Sequence, residues 1–163
     1  VVTEDGKNQF YAELTDYDQR QVDEWLMENV FNLLIMGDEK PMFSSVKDNL
    51  VMLKGDSEFI VNSKNGLNNW LMKYTDDSTV FSCFGIGYDF ILFKQLYKKC
   101  GMEIPNFLKN FGFCVSTMLQ IHGYDPNMYG IKESFAGVEG DGKHNALFDA
   151  KVARKIYLKI SEH

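Results

Sequence analysis

The side chains best suited to chemistry lie near the C-terminal end, where His144 precedes Asp149 by five residues. A glycine-rich segment, residues 137–142, comes directly before them, and a helical pattern begins at Ala146. A mobile imidazole beside a carboxylate on a helix suits metal-assisted hydrolysis, because the carboxylate can hold a divalent cation while the histidine takes a proton from water. The spacing is weakly specific, and a loop histidine followed by a solvated helical aspartate is the plain alternative.

The helix that must carry Asp149 has clear start and packing signals. Asn145 is a good N-cap residue, because its side-chain oxygen can accept a backbone N–H that the first helical turn leaves unpaired. Apolar residues then recur at helical spacing, at Leu147, Ala150, Ala153, Ile156, Tyr157 and Ile160. We therefore expect an amphipathic helix that begins after Asn145, with His144 outside it and Asp149 in its first turns.

A second carboxylate, Asp89, stands at a predicted strand-to-helix junction. Residues 79–84 form a short apolar run that favours a strand, and helical periodicity follows Asp89 until Gly101. In a mainly parallel α/β sheet, ligands collect where strands end and helices begin. Asp89 is therefore a candidate ligand, and a helix N-cap is the plain alternative for an aspartate at this position.

Together these two segments resemble the DEDDh family of 3′→5′ exonucleases, which have a ribonuclease H-like fold. The family's third motif, H-x-A-x-x-D-A, matches residues 144–150, and its second motif, an aspartate that opens a helix after a strand, matches Asp89. The small exoribonuclease-like branch is the most similar, since a strand at residues 10–13 precedes a helix that carries Trp25. The resemblance covers most of the chain.

The resemblance implies a single α/β domain over residues 1–163, with helices on both faces of a mixed five-stranded sheet. It also implies hydrolysis of phosphodiester bonds at the 3′ end of single-stranded RNA or DNA, which releases nucleoside 5′-monophosphates. Asp89 and Asp149 would then share a site for two Mg²⁺ or Mn²⁺ ions as metal ligands, and His144 would be the general base. The alternative is a non-catalytic interaction domain that keeps the fold without the metal site.

The family's first motif, D-x-E on a central strand, has no clear counterpart. Residues 1–5 resemble the strand that should follow it, paired through a tight turn with residues 9–14. Tyr11-Ala12-Glu13 is the only nearby segment that resembles the D-x-E motif, with tyrosine in place of the aspartate. Strand alternation favours an exposed Glu13. Since unpaired buried backbone groups are costly, we expect an upstream segment, a partner chain or a rearranged hairpin that turns Glu13 inward to fill the position of the central strand. The resemblance implies that the 163 residues alone bind divalent cations poorly and show little or no exonuclease activity.

Four further segments have predicted structures. Helices are predicted over residues 17–36 and 63–74, a loop with a short helix over residues 37–55, and the fifth strand with its turn over residues 107–119. Trp25 and Trp70 lie on the apolar sides of the two helices. We therefore expect both tryptophans in the core rather than at a base-stacking surface.

Composition and charge narrow the classes of function. The 163 residues, with 45% hydrophobic content, allow one α/β domain with a substantial core. A net charge of −6 argues against a protein that coats long nucleic acids, but an enzyme that grips a few terminal nucleotides can rely on metal ions and stacking. The three cysteines and three histidines show no zinc pattern, and neither a membrane span nor a signal peptide is recognisable. We expect unpaired thiols and a cytoplasmic protein with no membrane partner, and a homo-oligomer remains one alternative.

Overall fold

A computed structural model describes residues 1–37, 42–109, 112–140 and 142–162 as a mixed α/β structure. The chain forms two compact units, which we treat separately. The first comprises Val1–Tyr74 and Gly142–Asp149, and the second comprises Thr75–Asp141 and Ala150–His163. That both belong to one domain stays a prediction.

The first unit contains a three-stranded mixed sheet of β1 (Gln9–Leu14), β2 (Phe43–Lys47) and β3 (Leu50–Gly55). The central strand, β3, runs parallel to β1 and antiparallel to β2. Asp48 and Asn49 join β2 to β3, and both have the positive φ angles that a two-residue type I′ turn requires. The prediction of a loop with a short helix over residues 37–55 is therefore wrong for residues 42–55, because this turn pairs its two flanks. Pro41, within that predicted loop, lies outside the described residues.

The N-terminal residues fold back antiparallel onto the start of β1, as predicted. The pairing consists of one bridge between Val2 and Gln9, supported by a hydrogen bond of 2.9 Å from the Phe10 N–H to the Val1 carbonyl. Gly6 makes the reversal with a φ of 74°, which costs little in the absence of a Cβ. The predicted strand over residues 1–5 is thus reduced to a short paired segment.

Three short helices complete the first unit before the C-terminal motif. They are α1 (Glu24–Asn29), α2 (Ser57–Asn62) and α3 (Leu67–Tyr74). Asp23 and Asp56 start α1 and α2, because each carboxylate accepts a backbone N–H from the first turn of its helix. On α3, the buried Trp70 packs against Phe10 of β1, with ring centroids 6.0 Å apart. The predicted core position of Trp70 is confirmed.

The single helix predicted over residues 17–36 is wrong, because the segment is divided into short pieces. Only α1 is α-helical, and 3₁₀ turns at Gln19–Gln21 and Phe31–Leu33 stand on either side of it. Asp18 and Asp23 explain the first division. Each carboxylate accepts a backbone N–H two or three residues ahead, which starts a new turn in competition with a continuous helix.

In its described residues, the second unit contains a two-stranded parallel sheet and four α-helical segments. These are β4 (Ser82–Cys83), β5 (Phe113–Cys114), α4 (Ile91–Lys99), α5 (Val115–Ile121), α6 (Ile131–Ala136) and the part of α7 (Ala146–Ser161) from Ala150 onward. The predicted helix that follows Asp89 is confirmed, and Gly101 lies just beyond it with a φ of 65°. The predicted fifth strand is limited to β5 within the described part of residues 107–119, since residues 110 and 111 lie outside it and α5 begins at Val115.

The mixed α/β class is thus confirmed, with sheets of three and two strands in the described ranges. The core of the second unit includes the fully buried side chains of Tyr97, Leu119 and Ile156. No helix in the described ranges is both long and apolar enough to cross a membrane.

Candidate functional site

The third motif lies at the start of α7 with the local geometry that the sequence predicts. Asn145 is the N-cap: its Oδ1 accepts the backbone N–H groups of Leu147 at 3.1 Å and Phe148 at 3.2 Å. Asp149 lies half-buried in the first turn, and its N–H donates to the Asn145 carbonyl at 2.9 Å. His144 lies outside the helix. The predicted placement of both motif residues is confirmed.

His144 has an unusual backbone conformation. Its φ is 69°, in the left-handed region that non-glycine residues rarely occupy. The loop before it passes very close to α7, since a Cβ at Gly142 would come 2.5 Å from the ring of Phe148. Such backbone conformations persist only where surrounding contacts hold them, and they often mark functional positions. Asp141, in the same loop, lies outside the described residues.

Trp25 of α1 contacts the imidazole of His144. The two rings meet edge to face, with centroids 5.3 Å apart and an interplanar angle of 79°. The Trp25 side chain is 53% exposed, so its predicted core position is wrong. The physical reason is that α1 is a short surface helix in which no residue is buried.

Asp89 occupies the strand-to-helix junction of the second unit, as predicted. It lies in a single π-helical turn, Ile86–Phe90, between β4 and α4, and is exposed. Its Oδ2 accepts the backbone N–H of Gly85, the N-cap residue, at 3.1 Å. Asp89 therefore reaches back to the N-cap as the acidic residue of a capping box does, instead of being the N-cap itself. A single π turn within a helix is frequent at functional sites.

The three predicted site residues are divided between the units: His144 and Asp149 belong to the first, and Asp89 to the second. A shared two-metal site for the aspartates stays a prediction. In the part of the chain that the structure describes, no group of three or more histidine, cysteine, aspartate or glutamate side chains is arranged to hold a metal ion. His163 lies outside that part.

Glu13, the proposed substitute for the absent motif, is buried with 4% exposure. The expectation of an exposed side chain is wrong, because Glu13 faces inward. Which segment fills the position of the central strand stays a prediction. Its Oε1 accepts hydrogen bonds from the Tyr11 hydroxyl at 2.8 Å, the Ile35 N–H at 2.8 Å and the Met36 N–H at 3.0 Å. Its Oε2 lies 3.9 Å from Nζ of Lys54, which is directly opposite on β3.

These contacts make Glu13 a structural carboxylate. Lys54 is also buried, and its Nζ donates to the Gly37 carbonyl in addition to facing Glu13. A buried charge is tolerated only when it is paired and hydrogen-bonded, as both charges are here. Burial raises the pKa of Tyr11, and its hydrogen bond to Glu13 and the negative charge of Glu13 raise it further. Tyr11 thus stays protonated as a donor.

Sequence reasoning missed Lys54 and the inward face of β1, although each left a signal. Lys54 directly follows the apolar run of residues 50–53 in β3, and a lysine in such a strand is buried only when its charge is paired. Tyr11 and Glu13 share one face of β1 because alternate strand residues point the same way. The sequence therefore predicts that the two side chains are buried or exposed together, and the elements that cover β1 decide which.

Among the cysteines of the second unit, Cys83 has the surroundings of a structural thiol. No disulfide joins Cys83, Cys100 and Cys114, as predicted. Burial raises the pKa of Cys83 to about 11, and the negative charges of Asp89 and Cys114 act in the same direction. The Cys114 thiol donates to the carbonyl of Phe84 at 3.3 Å. Cys83 is therefore a poor nucleophile at neutral pH.

The structural observations that bear on function are the positions of the motif residues. The third motif has a capped helix, a left-handed histidine and a contacting exposed tryptophan, and the second motif lies at a π-helical junction. Compared with models of protein families, with curated proteins and with solved structures, the chain matches none of them.

Proposed function

We propose that the protein is a metal-dependent 3′→5′ exonuclease of the DEDDh type, acting on single-stranded RNA or DNA in the cytoplasm. The main support is the geometry at the start of α7, where Asn145 caps the helix, His144 is held outside it and Asp149 lies in its first turn. A hydrolytic site needs such a base beside a fixed carboxylate. The proposed complete fold is the five-stranded ribonuclease H-like sheet.

The roles follow from the chemistry of the side chains. His144 is the general base, because a neutral imidazole can take a proton from water near physiological pH. Asp89 and Asp149 are the metal ligands, since carboxylate oxygens suit hard ions such as Mg²⁺ and Mn²⁺. Two such ions, when bound, stabilise the negative charge that develops on the phosphate during bond cleavage. Glu13 contributes no ligand, because it is buried, its Oε1 accepts three hydrogen bonds from the chain itself and its Oε2 faces Lys54.

Exposed aromatic rings beside both motifs support a nucleic-acid substrate. Trp25 contacts His144, and Tyr88, directly before Asp89, is 75% exposed. Stacking on such rings binds single strands without sequence preference, because every nucleobase has a π face. This mode of binding suits a chain of net charge −6, which cannot depend on a broad basic surface.

The test is hydrolysis of a 3′-labelled single-stranded oligonucleotide, as RNA and as DNA, in Mg²⁺ or Mn²⁺. We expect labelled nucleoside 5′-monophosphate as the first product and complete inhibition by a chelator. Both the 163 residues and any longer natural product of the same reading frame are assayed. His144→Ala should lower the activity by about 10²-fold or more, and His122→Ala, which changes an exposed histidine after α5, should retain it.

One outcome would contradict the proposal directly: no form of the wild-type protein releases mononucleotides faster than its His144→Ala variant does. In that case, retained binding of the oligonucleotide would favour the non-catalytic interaction domain. Release of nucleoside 3′-monophosphates would also overturn the proposal, because the family's chemistry leaves the phosphate on the 5′ side of the product.

A further inference from the structure

Residues 33–37, which we call the strap, are held by polar contacts at several points along their backbone. In the middle of the strap, the N–H groups of Ile35 and Met36 donate to Oε1 of Glu13, at 2.8 and 3.0 Å. At its end, the Gly37 carbonyl accepts a hydrogen bond from Lys54. The buried ion pair between β1 and β3 therefore fixes the course of the strap.

The other end of the strap is joined to the third motif. Nδ2 of Asn145 donates to the carbonyl of Leu33 at 3.1 Å, and Oδ1 of the same side chain caps α7. Asn145 directly follows His144, whose left-handed backbone needs support from its surroundings. A side chain that serves both the strap and the helix cap thus stands next to the histidine.

Apolar burial holds the strap only in part. Leu33 is 38% exposed and Ile35 is 51% exposed, whereas Leu34 and Met36 are half-buried. The backbone hydrogen bonds therefore contribute to the position of the strap beside this partial burial. The bonds that involve the Glu13–Lys54 pair are the strongest of them, since a hydrogen bond with a charged partner is roughly twice as strong as a neutral one.

We propose that Glu13 is a positioning residue for His144, which it influences through the strap and Asn145. Glu13 fixes the backbone of the strap, and the strap fixes the Asn145 side chain. Asn145 in turn supports the backbone of His144 and so positions its imidazole. The catalytic importance of this positioning rests on the proposed exonuclease function. The coupling itself is a property of the first unit and can be measured without any activity.

The experiment measures amide hydrogen exchange and the ring resonances of His144 by NMR on the 163-residue protein. Glu13→Gln keeps the side-chain shape and removes the charge. We expect the amides of Ile35 and Met36 to exchange roughly 10-fold faster or more, and the His144 ring resonances to shift. Glu58→Gln is the matched control, because it makes the same change on an exposed glutamate of α2, whose carboxylate accepts a hydrogen bond from Asn62.

A second variant changes the contact at the Leu33 end of the strap. It also tests the proposal if Glu13→Gln does not fold. Asn145→Ser keeps a capping oxygen for α7, but serine is too short to reach the Leu33 carbonyl. We expect faster exchange at Ile35 and Met36, although Asn145 bonds to neither amide. Unchanged exchange at both amides would overturn the proposal, and so would fixed His144 resonances in a folded Glu13→Gln protein.

The activity measurement separates this inference from the proposed function. If the protein is an exonuclease, Glu13→Gln should lower kcat and leave KM nearly unchanged, because Glu13 positions the base and does not contact the substrate. A wild-type protein that is inactive both as the 163 residues and in any longer natural form would contradict the exonuclease alone. The positioning role alone would be contradicted if the wild-type protein is active and neither substitution changes the exchange of the strap amides or the ring resonances of His144.

Discussion

Trp25 meets the imidazole of His144 edge to face, 5.3 Å between ring centroids, while 53% of the Trp25 side chain remains exposed. The indole can therefore orient the histidine and still present surface to a ligand. Indole rings with an exposed surface bind nucleobases by stacking. This contact connects α1 with the third motif inside the first unit, although the two are far apart in the sequence.

Trp25→Ala should raise KM for single-stranded oligonucleotides by roughly 10-fold to 100-fold, because base stacking on an aromatic ring contributes about 1–3 kcal/mol. Trp25→Phe should retain most of the affinity. Steady-state kinetics with a short oligonucleotide measures both variants. Met27→Ala is the control, since Met27 is an exposed residue of the same short helix. Equal KM values for Trp25→Ala and the wild type would show that the ring does not bind the substrate.

His144→Ala should lower kcat by about 10²- to 10⁴-fold, the usual effect of removing a general base. The affinity for Mn²⁺ should stay close to that of the wild type, because the proposed ligands are carboxylates. Single-turnover kinetics and calorimetric Mn²⁺ titration measure the two quantities. A His144→Ala protein with undiminished turnover would refute the assigned role of the imidazole.

Asp149→Asn should weaken the binding of divalent cations, since it removes a charged oxygen ligand and keeps the size of the side chain. The rate should fall at a fixed Mn²⁺ concentration and recover in part when the concentration is raised. The measurement is a metal titration of the activity beside direct calorimetry. A variant with normal metal affinity and normal rates would remove Asp149 from the site. Glu139→Gln, a carboxylate change outside the motif, is the control.

Two tyrosine-to-phenylalanine changes should have opposite effects on the free energy of unfolding. The Tyr97 hydroxyl is buried and finds no hydrogen-bond partner among the described residues, so Tyr97→Phe should stabilise the protein by about 1 kcal/mol. Tyr11→Phe removes a hydrogen bond to the ionised Glu13 and should cost about 1.5–3 kcal/mol. Urea unfolding of both variants measures the difference. A destabilised Tyr97→Phe protein would indicate an unrecognised partner of that hydroxyl.

Lys54→Met should be strongly destabilising, by about 3–5 kcal/mol, because it leaves the buried Glu13 carboxylate without its counter-ion. The double change Glu13→Gln with Lys54→Met should recover much of that loss, since the pair is then neutral and the glutamine oxygen can still accept the strap N–H groups. Denaturant unfolding of the single and double variants forms a double-mutant cycle. Strict additivity would mean that the two side chains do not interact.

Local signals predicted the immediate surroundings of the motif residues. Asn145 caps α7 through N–H groups two and three residues ahead, and Asp89 lies between β4 and α4, where the pattern changes from strand to helix. A capping hydrogen bond and the change from strand to helical periodicity both depend on residues that are close together in the sequence. Their outcome depends little on the rest of the chain, so the sequence alone places His144, Asp149 and Asp89 correctly in their own segments.

Only the tertiary structure decided the burial of Glu13, the exposure of Trp25 and the end of the helical segment near Leu33. The partners lie far along the chain: Glu13 bonds to the Ile35 N–H, 22 residues away, and Asn145 bonds to the Leu33 carbonyl across 112 residues. Strand alternation fixes which side chains share a face of β1, but the elements that cover that face decide whether it is buried. The Glu13 carboxylate is stable on the buried face of β1 only because Lys54 and the strap supply its partners. No local sequence pattern predicts these distant partners.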